Sequence, residues 1–202
     1  MQRLRPLSLP PPASLAARAS EDLRLIRQTM ERAASFTALP GWGGVLMGVV
    51  ALLAAPAAAS AGSERAWLLI WLGAALLAFL TGFTDMLHKV RAEQRSLLAA
   101  PASRFFLALC PALLVGALLT FALVRAGEWQ LLAGTWMACY GAAVVAASAH
   151  TIRAVRWMGA AFLALGALAL GFPLGRGDVW MALGFGLVHA GYGLWIARSS
   201  RG

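Results

Sequence analysis

His189 stands near the middle of the last of six long apolar stretches, with Tyr192 one helical turn further on. A histidine at that depth has to find a partner, because hydrocarbon offers it neither a hydrogen bond nor solvation. Two roles follow. Either the neutral imidazole bonds to a neighbouring helix and acts as structural glue, or His189 and Tyr192 form a ligand or proton site. A second polar group lies at one end of the second stretch, where Thr81, Thr84, Asp85 and His88 recur at i, i+3, i+4 and i+7. His150 ends the fourth stretch at the same level. Imidazole and carboxylate are competent metal ligands, but three ligands drawn from two helices match no recognised metal spacing. This group therefore reads as an interfacial polar cluster, with Asp85 paired to Lys89 at i+4. Cys110 and Cys139 both fall inside apolar stretches, without CxxC or CxxH spacing, and read as small packing residues rather than a disulfide. There is no Walker loop, no GxSxG and no HExxH. No catalytic residue, metal or cofactor is assigned, and the chain reads as a non-enzyme. Haem is excluded because no second histidine lies at the depth of His189.

The elements that position these residues follow from composition. The chain has 202 residues, 60% hydrophobic and 12% charged, against roughly 45–50% and about 25% in soluble domains. Lys and Arg collect in alternate polar segments. Of the 17 basic residues, Arg65, Arg125 and Arg176 fall in one set of loops and the other 14 in the opposite set. This is the positive-inside pattern, and it predicts six crossings with both termini in the cytoplasm. The net charge of +9 sits wholly on that inner side, where Glu21, Asp22, Glu31, Asp85 and Glu93 offset part of the basic set. On the outer side Glu64, Glu128 and Asp178 cancel the three arginines. The partners implied are a bilayer with an anionic inner leaflet and either another protein or a second copy of the chain. Nucleic acid is not among them, since no fold or motif for it is present.

Along the chain, residues 1–13 form a Pro-rich disordered tail with Pro6, Pro10, Pro11 and Pro12. Residues 14–38 form an amphipathic helix on the cytoplasmic surface. In it Leu23, Ile26, Met30 and Ala33 make an apolar stripe, and Arg24, Arg27 and Arg32 lie on other faces. Residues 39–198 form the transmembrane domain, and 199–202 a cytoplasmic tail. The spans read Trp42–Ala61, Trp67–Asp85, Phe105–Val124, Trp129–Ala149, Trp157–Leu174 and Val179–Ala197, each close to the roughly 20 residues that cross a bilayer. Trp42, Trp157 and Trp195 mark one interface and Trp67, Trp129 and Trp180 the other, as aromatic belts. Each outer loop carries one base, one acid and then Trp before the returning helix, which suggests three hairpins of one pattern. Small residues at four-residue spacing predict close helix packing: Gly44 and Gly48; Ala112, Gly116 and Thr120; Ala182, Gly186 and Ala190. The fold class is thus all-α integral membrane, six transmembrane helices as three antiparallel hairpins preceded by an amphipathic interfacial helix.

The segments Ser35-Phe36-Thr37-Ala38-Leu39-Pro40-Gly41-Trp42-Gly43-Gly44 and Met181-Ala182-Leu183-Gly184-Phe185-Gly186-Leu187-Val188-His189 resemble those of a family of small bacterial six-span inner-membrane proteins. The resemblance covers the N-terminal helix, the first span and the last. It implies a bacterial inner membrane and transfers no activity. A looser likeness, in the three hairpins alone, is to acid-resistance membrane proteins.

Two functions compete. The first is a non-enzymatic structural, regulatory or accessory membrane subunit, whose basic face and N-terminal helix dock lipid or a partner. The second is a small transporter or substrate-binding membrane subunit with a pocket near His189 and Tyr192. Transporters place several polar groups and broken helices at the midplane. This chain offers one histidine, one tyrosine and scattered threonines there, so the sequence favours the first.

Overall fold

The computed structural model describes residues 19–26, 41–92 and 100–199. Close contacts divide the chain into two units, Met1–Ser35 and Phe36–Gly202. In the first, residues 19–26 are helical and exposed, Leu23 and Ile26 included. The rest of the expected surface helix and the Pro-rich tail lie outside the described residues.

The second unit is built from six helices, each long and apolar enough to cross a membrane: α1 Gly41–Ala59, α2 Glu64–Ala92, α3 Ala100–Ala126, α4 Leu132–Ala147, α5 Arg153–Gly171 and α6 Asp178–Ser199. Short 3-10 turns, Trp129–Leu131 and Ser148–His150, flank α4. Two helices outrun the expected spans. α2 continues past Asp85 to carry Lys89 and Arg91 in its last turn, and α3 begins at Ala100 rather than Phe105. Polar residues at these ends prolong a helix without lengthening its apolar part, so hydropathy alone stops short of them.

The helices pack in the spatial order α2, α1, α6, α5, α4, α3. The closest approaches are made by glycine. On α1, a Cβ at Gly48 would lie 2.5 Å from the Gly186 oxygen and 2.7 Å from the Ala190 nitrogen of α6; one at Gly44 would lie 3.1 Å from Gly193 Cα. The predicted rows on the first and last spans therefore meet each other. Gly116 of α3 faces Cys139 of α4. A further row joins α4 to α5 through Gly134, Gly141, Gly159 and Gly166. Backbones this close gain dispersion contacts that lipid cannot supply.

The two ends of this row of helices, α2 and α3, are not extensively packed on each other among the described residues. They are bridged above and below mid-length. At the end bearing the short loops, Ala51, Ala55, Trp67, Trp71, Leu132 and Met181 form one apolar cluster. At the basic end, Met86, Val90, Val144, Val155 and Ile196 form another, with Phe83, Phe105 and Phe106 packed on it. Between the two plugs the wall is open.

The short-loop end is latched by the turn Arg176-Gly177-Asp178. Gly177 has φ 85°, and Ala133 packs against it where a side chain would stand; only glycine suits both demands. Arg176 donates to the carbonyls of Ala58, Ala59 and Ala61 at 2.9–3.0 Å, satisfying acceptors that the end of α1 leaves without helical partners. Asp178 Oδ1 accepts from Trp67 Nε1 at 2.6 Å and Trp71 Nε1 at 3.1 Å. Trp67 is thus no interfacial belt residue. It is fully buried and stacks on Trp136 of α4 with centroids 5.6 Å apart. Trp42, Trp157 and Trp195 at the basic end are exposed, as a belt requires.

Candidate functional site: an apolar cavity

Seven residues of α6, Ala182–Val188, wind as a π-helix, a geometry that recurs at functional sites. The wider turn lies between α1, which meets it at Gly48 and Leu52, and Met137 of α4 with Phe162 of α5, which face Gly184. It brings Met181, Phe185 and His189 onto one wall of a cavity of about 450 Å³, within the usual range for small-molecule sites.

The other walls come from α1 (Met47, Ala51), α2 (Trp71 to Phe79), α3 (Leu113 to Thr120) and α4 (Trp136, Cys139, Tyr140). Both α2 and α3 line the cavity and pack little on each other among the described residues, so it opens sideways between them. Leu72, Phe79 and Leu113, which line it, are also exposed on the outer surface. Nearly all of the lining is apolar, and no Lys, Arg, Asp or Glu belongs to it.

At the inner wall Tyr140 Oη lies 2.8 Å from His189 Nε2. Their rings join Phe162 and Phe185 in a four-ring cluster: Tyr140–Phe162 centroids are 4.8 Å apart, Phe162–His189 5.1 Å, and Phe185–His189 stack at 6.0 Å. His189 is buried and its Nδ1 has no hydrogen-bond partner. Which of the two side chains donates in the Tyr140–His189 hydrogen bond is set by the imidazole tautomer.

The expectation that a mid-membrane histidine bonds to another helix is met by Tyr140 of α4. Tyr192 is not part of this arrangement. It lines a separate shallow groove with Leu187, Gly191 and Trp195, and its ring lies 5.6 Å from that of Trp195.

The polar cluster at the basic end comes apart in the same way. Thr81 and Thr84 donate to carbonyls of their own helix, Ala78 and Thr81. Asp85 accepts from the backbone N–H of Gly43 at 2.9 Å, capping α1, whose opening Gly-Trp-Gly-Gly has no capping side chain of its own. His88 is exposed, and His150 closes the turn after α4, its side chain outside the described residues. Among the described residues no three His, Cys, Asp or Glu side chains gather as a metal site. Thr120 of the packing row has a further role: it accepts from Trp136 Nε1 at 2.7 Å and donates to the Gly116 carbonyl at 2.7 Å.

Tyr140→Phe is expected to lower stability by about 1–2 kcal/mol, because it leaves His189 Nε2 buried without a partner. Tyr192→Phe should change stability by less than about 0.5 kcal/mol. Unfolding of both variants in mixed micelles checks the contrast.

Comparison with known proteins found no matching family model, curated protein or solved structure.

Proposed function

We propose that this chain is a multi-pass membrane protein that takes a hydrophobic molecule from the bilayer through the opening between α2 and α3 and holds it in the cavity at Tyr140 and His189. The observation that carries this reading is where the opening lies. It is at mid-length on the side of the bundle, between helices apolar enough to cross a membrane, so what reaches it comes from lipid rather than from water. The substrate-binding alternative is therefore favoured over a purely structural subunit. The pocket is formed with Tyr140, not Tyr192. The tightly packed helices α1, α4 and α6 supply the back wall, and α2 and α3 the two jambs. The lining is nearly all apolar and carries no Lys, Arg, Asp or Glu, which fits binding or carriage rather than catalysis.

The protein, purified in mild detergent, should carry about one apolar molecule per chain in an organic extract. Ala78→Phe and Ala117→Phe, which put rings into the cavity, should deplete it. Identical extracts from all three proteins would sink the reading.

The orientation proposed for this activity has both termini in the cytoplasm of a bacterial cell, three helical hairpins, and the N-terminal helix lying on an anionic inner leaflet. The support is the sorting of basic residues. Reporter fusions after Arg95 and Arg201 are expected to score cytoplasmic, and fusions after Arg65 and Arg176 external. An external C-terminus would overturn that map.

A further inference from the structure

Resting on that reading of the cavity, the class of its occupant can be narrowed by depth. On α2 the lining runs from Trp71 to Phe79, a rise of about 12 Å at 1.5 Å per residue. It is centred along the helices: Met47 and Ala51 lie near the middle of α1, and Cys139 and Tyr140 near the middle of α4. A hydrocarbon core is about 30 Å thick, so about 9 Å of it separates the cavity from the headgroup level on either side. Along the bundle axis the cavity is bounded by the two apolar clusters. Trp71, Leu132 and Met181 belong to the one at the short loops, and Met86, Val144 and Ile196 to the one at the basic end. The way in is from the side, at the depth where lipid is pure hydrocarbon.

The lining agrees with that depth. Trp71 Nε1–H is committed to Asp178 and Trp136 Nε1–H to Thr120, whose own hydroxyl donates to the Gly116 carbonyl. Tyr140 and His189 are bonded to each other, whichever donates. No Lys, Arg, Asp or Glu belongs to the lining, so a lipid head brought there would shed its water without gaining an ion pair. Water does not fill an apolar space of this kind, and walls left bare forfeit their dispersion contacts. Hydrocarbon is what fills it, and the hydrocarbon most concentrated at the opening is the lipid chain.

We infer that the occupant is the methyl-terminal part of a membrane lipid's acyl chain, which enters between α2 and α3 while the head group stays at the interface, about 9 Å away. The site then reads the chain and not the head. Lipids that share a chain are bound alike whatever charge they carry, and selectivity rests on the length and shape of what reaches mid-depth. Ala74, Ala75, Ala78 and Ala117 on the two jambs leave the width a chain needs.

Trp71 and Trp136 line the cavity, so bromine seated in it quenches their emission. The full chain is reconstituted in nanodiscs containing a phospholipid brominated on the methyl-terminal half of one chain, with a choline, ethanolamine or glycerol head. The same lipids brominated beside the ester, and a brominated adamantane as a compact apolar molecule, complete the set. Quenching that persists in Ala78→Phe is subtracted as bulk-lipid background. Ala117→Phe, on the opposite jamb, gives a second background, so the result does not hang on the folding of either variant. Cavity-dependent quenching is expected to be equal for the three heads and to be lost when the bromines move beside the ester. Quenching confined to one head group, or undiminished with bromine beside the ester, would overturn the chain-end assignment while leaving the cavity reading intact. Quenching by the brominated adamantane with none from the lipids would do the same, since the occupant would then be a compact free molecule. If no probe quenches above either background, the cavity reading falls with it.

Discussion

Gly141→Ala is expected to destabilise the protein by about 2–3 kcal/mol, although alanine is the better helix former by about 1 kcal/mol. The added Cβ would lie 2.6 Å from the Leu163 nitrogen and 2.8 Å from the Gly159 oxygen. Both are backbone atoms of α5, which no change of side-chain rotamer can move aside. α4 and α5 would have to separate along the interface where Gly134, Gly159 and Gly166 make equally close approaches. The back wall of the cavity and the four-ring cluster would shift with them. Gly73 of α2 is the control, since a Cβ there meets nothing within 4 Å. Gly73→Ala should be neutral or stabilising, by up to about 1 kcal/mol. Reversible unfolding in mixed anionic and neutral micelles, followed by circular dichroism, reads both variants. Equal responses at the two positions would show that the α4–α5 approach does not hold the bundle together.

Asp178→Ala is the second large effect. The carboxylate receives two indole N–H groups, from Trp67 and Trp71, and both tryptophans are buried. Removing it leaves two buried donors without an acceptor, at about 1–3 kcal/mol each, so a loss of about 3 kcal/mol is expected. Asp178→Asn keeps one acceptor oxygen in place and should lose less than half as much. Because Trp71 also lines the cavity, Asp178→Ala should alter tryptophan emission and near-ultraviolet dichroism, changes that Glu64→Ala or Glu128→Ala should not produce. If all three acidic variants behaved alike, Asp178 would be an ordinary loop acid.

These two positions also mark where the sequence was legible and where it was not. The six apolar stretches announce themselves, because a bilayer demands length and apolarity of each helix by itself. Gly44, Gly48, Gly186 and Ala190 were found from their four-residue spacing, and they do pack α1 on α6. The glycine contacts of α4 and α5 escape that rule. Gly134 and Gly141, like Gly159 and Gly166, are seven residues apart, two turns rather than one, so they share a face without forming a four-residue row. In the sequence Asp178 is one of three outer-loop acids, each near a base and before a tryptophan. Its function as a shared acceptor depends on Trp67 and Trp71, more than a hundred residues earlier, and a local reading takes Trp67 for an interfacial belt residue.

The candidate site divides in the same way. His189 stood out because an isolated imidazole in hydrocarbon must be paired, an argument that needs only its depth. The identity of the partner needed the helix order. Sequence reasoning singled out Tyr192, one turn on in the same helix, whereas His189 is bonded to Tyr140 of α4. The cavity was less legible still, since it is made by what α2 and α3 fail to do. Ala74, Ala75 and Ala78 on one and Ala117 on the other are small residues that invite close packing, yet they line the cavity instead.

The central claim is that the bilayer communicates with the inside of this bundle between α2 and α3. It is tested most directly by photolabelling the reconstituted protein with a lipid whose acyl chain carries a diazirine, followed by mapping of the labelled residues. Label should appear at Met47, Met181 and Phe185, which line the cavity on α1 and α6, and should disappear from them in Ala78→Phe. Labelling confined to the outer surface of α3, at Leu114, Leu118 and Phe121, with none at the cavity residues, would contradict it.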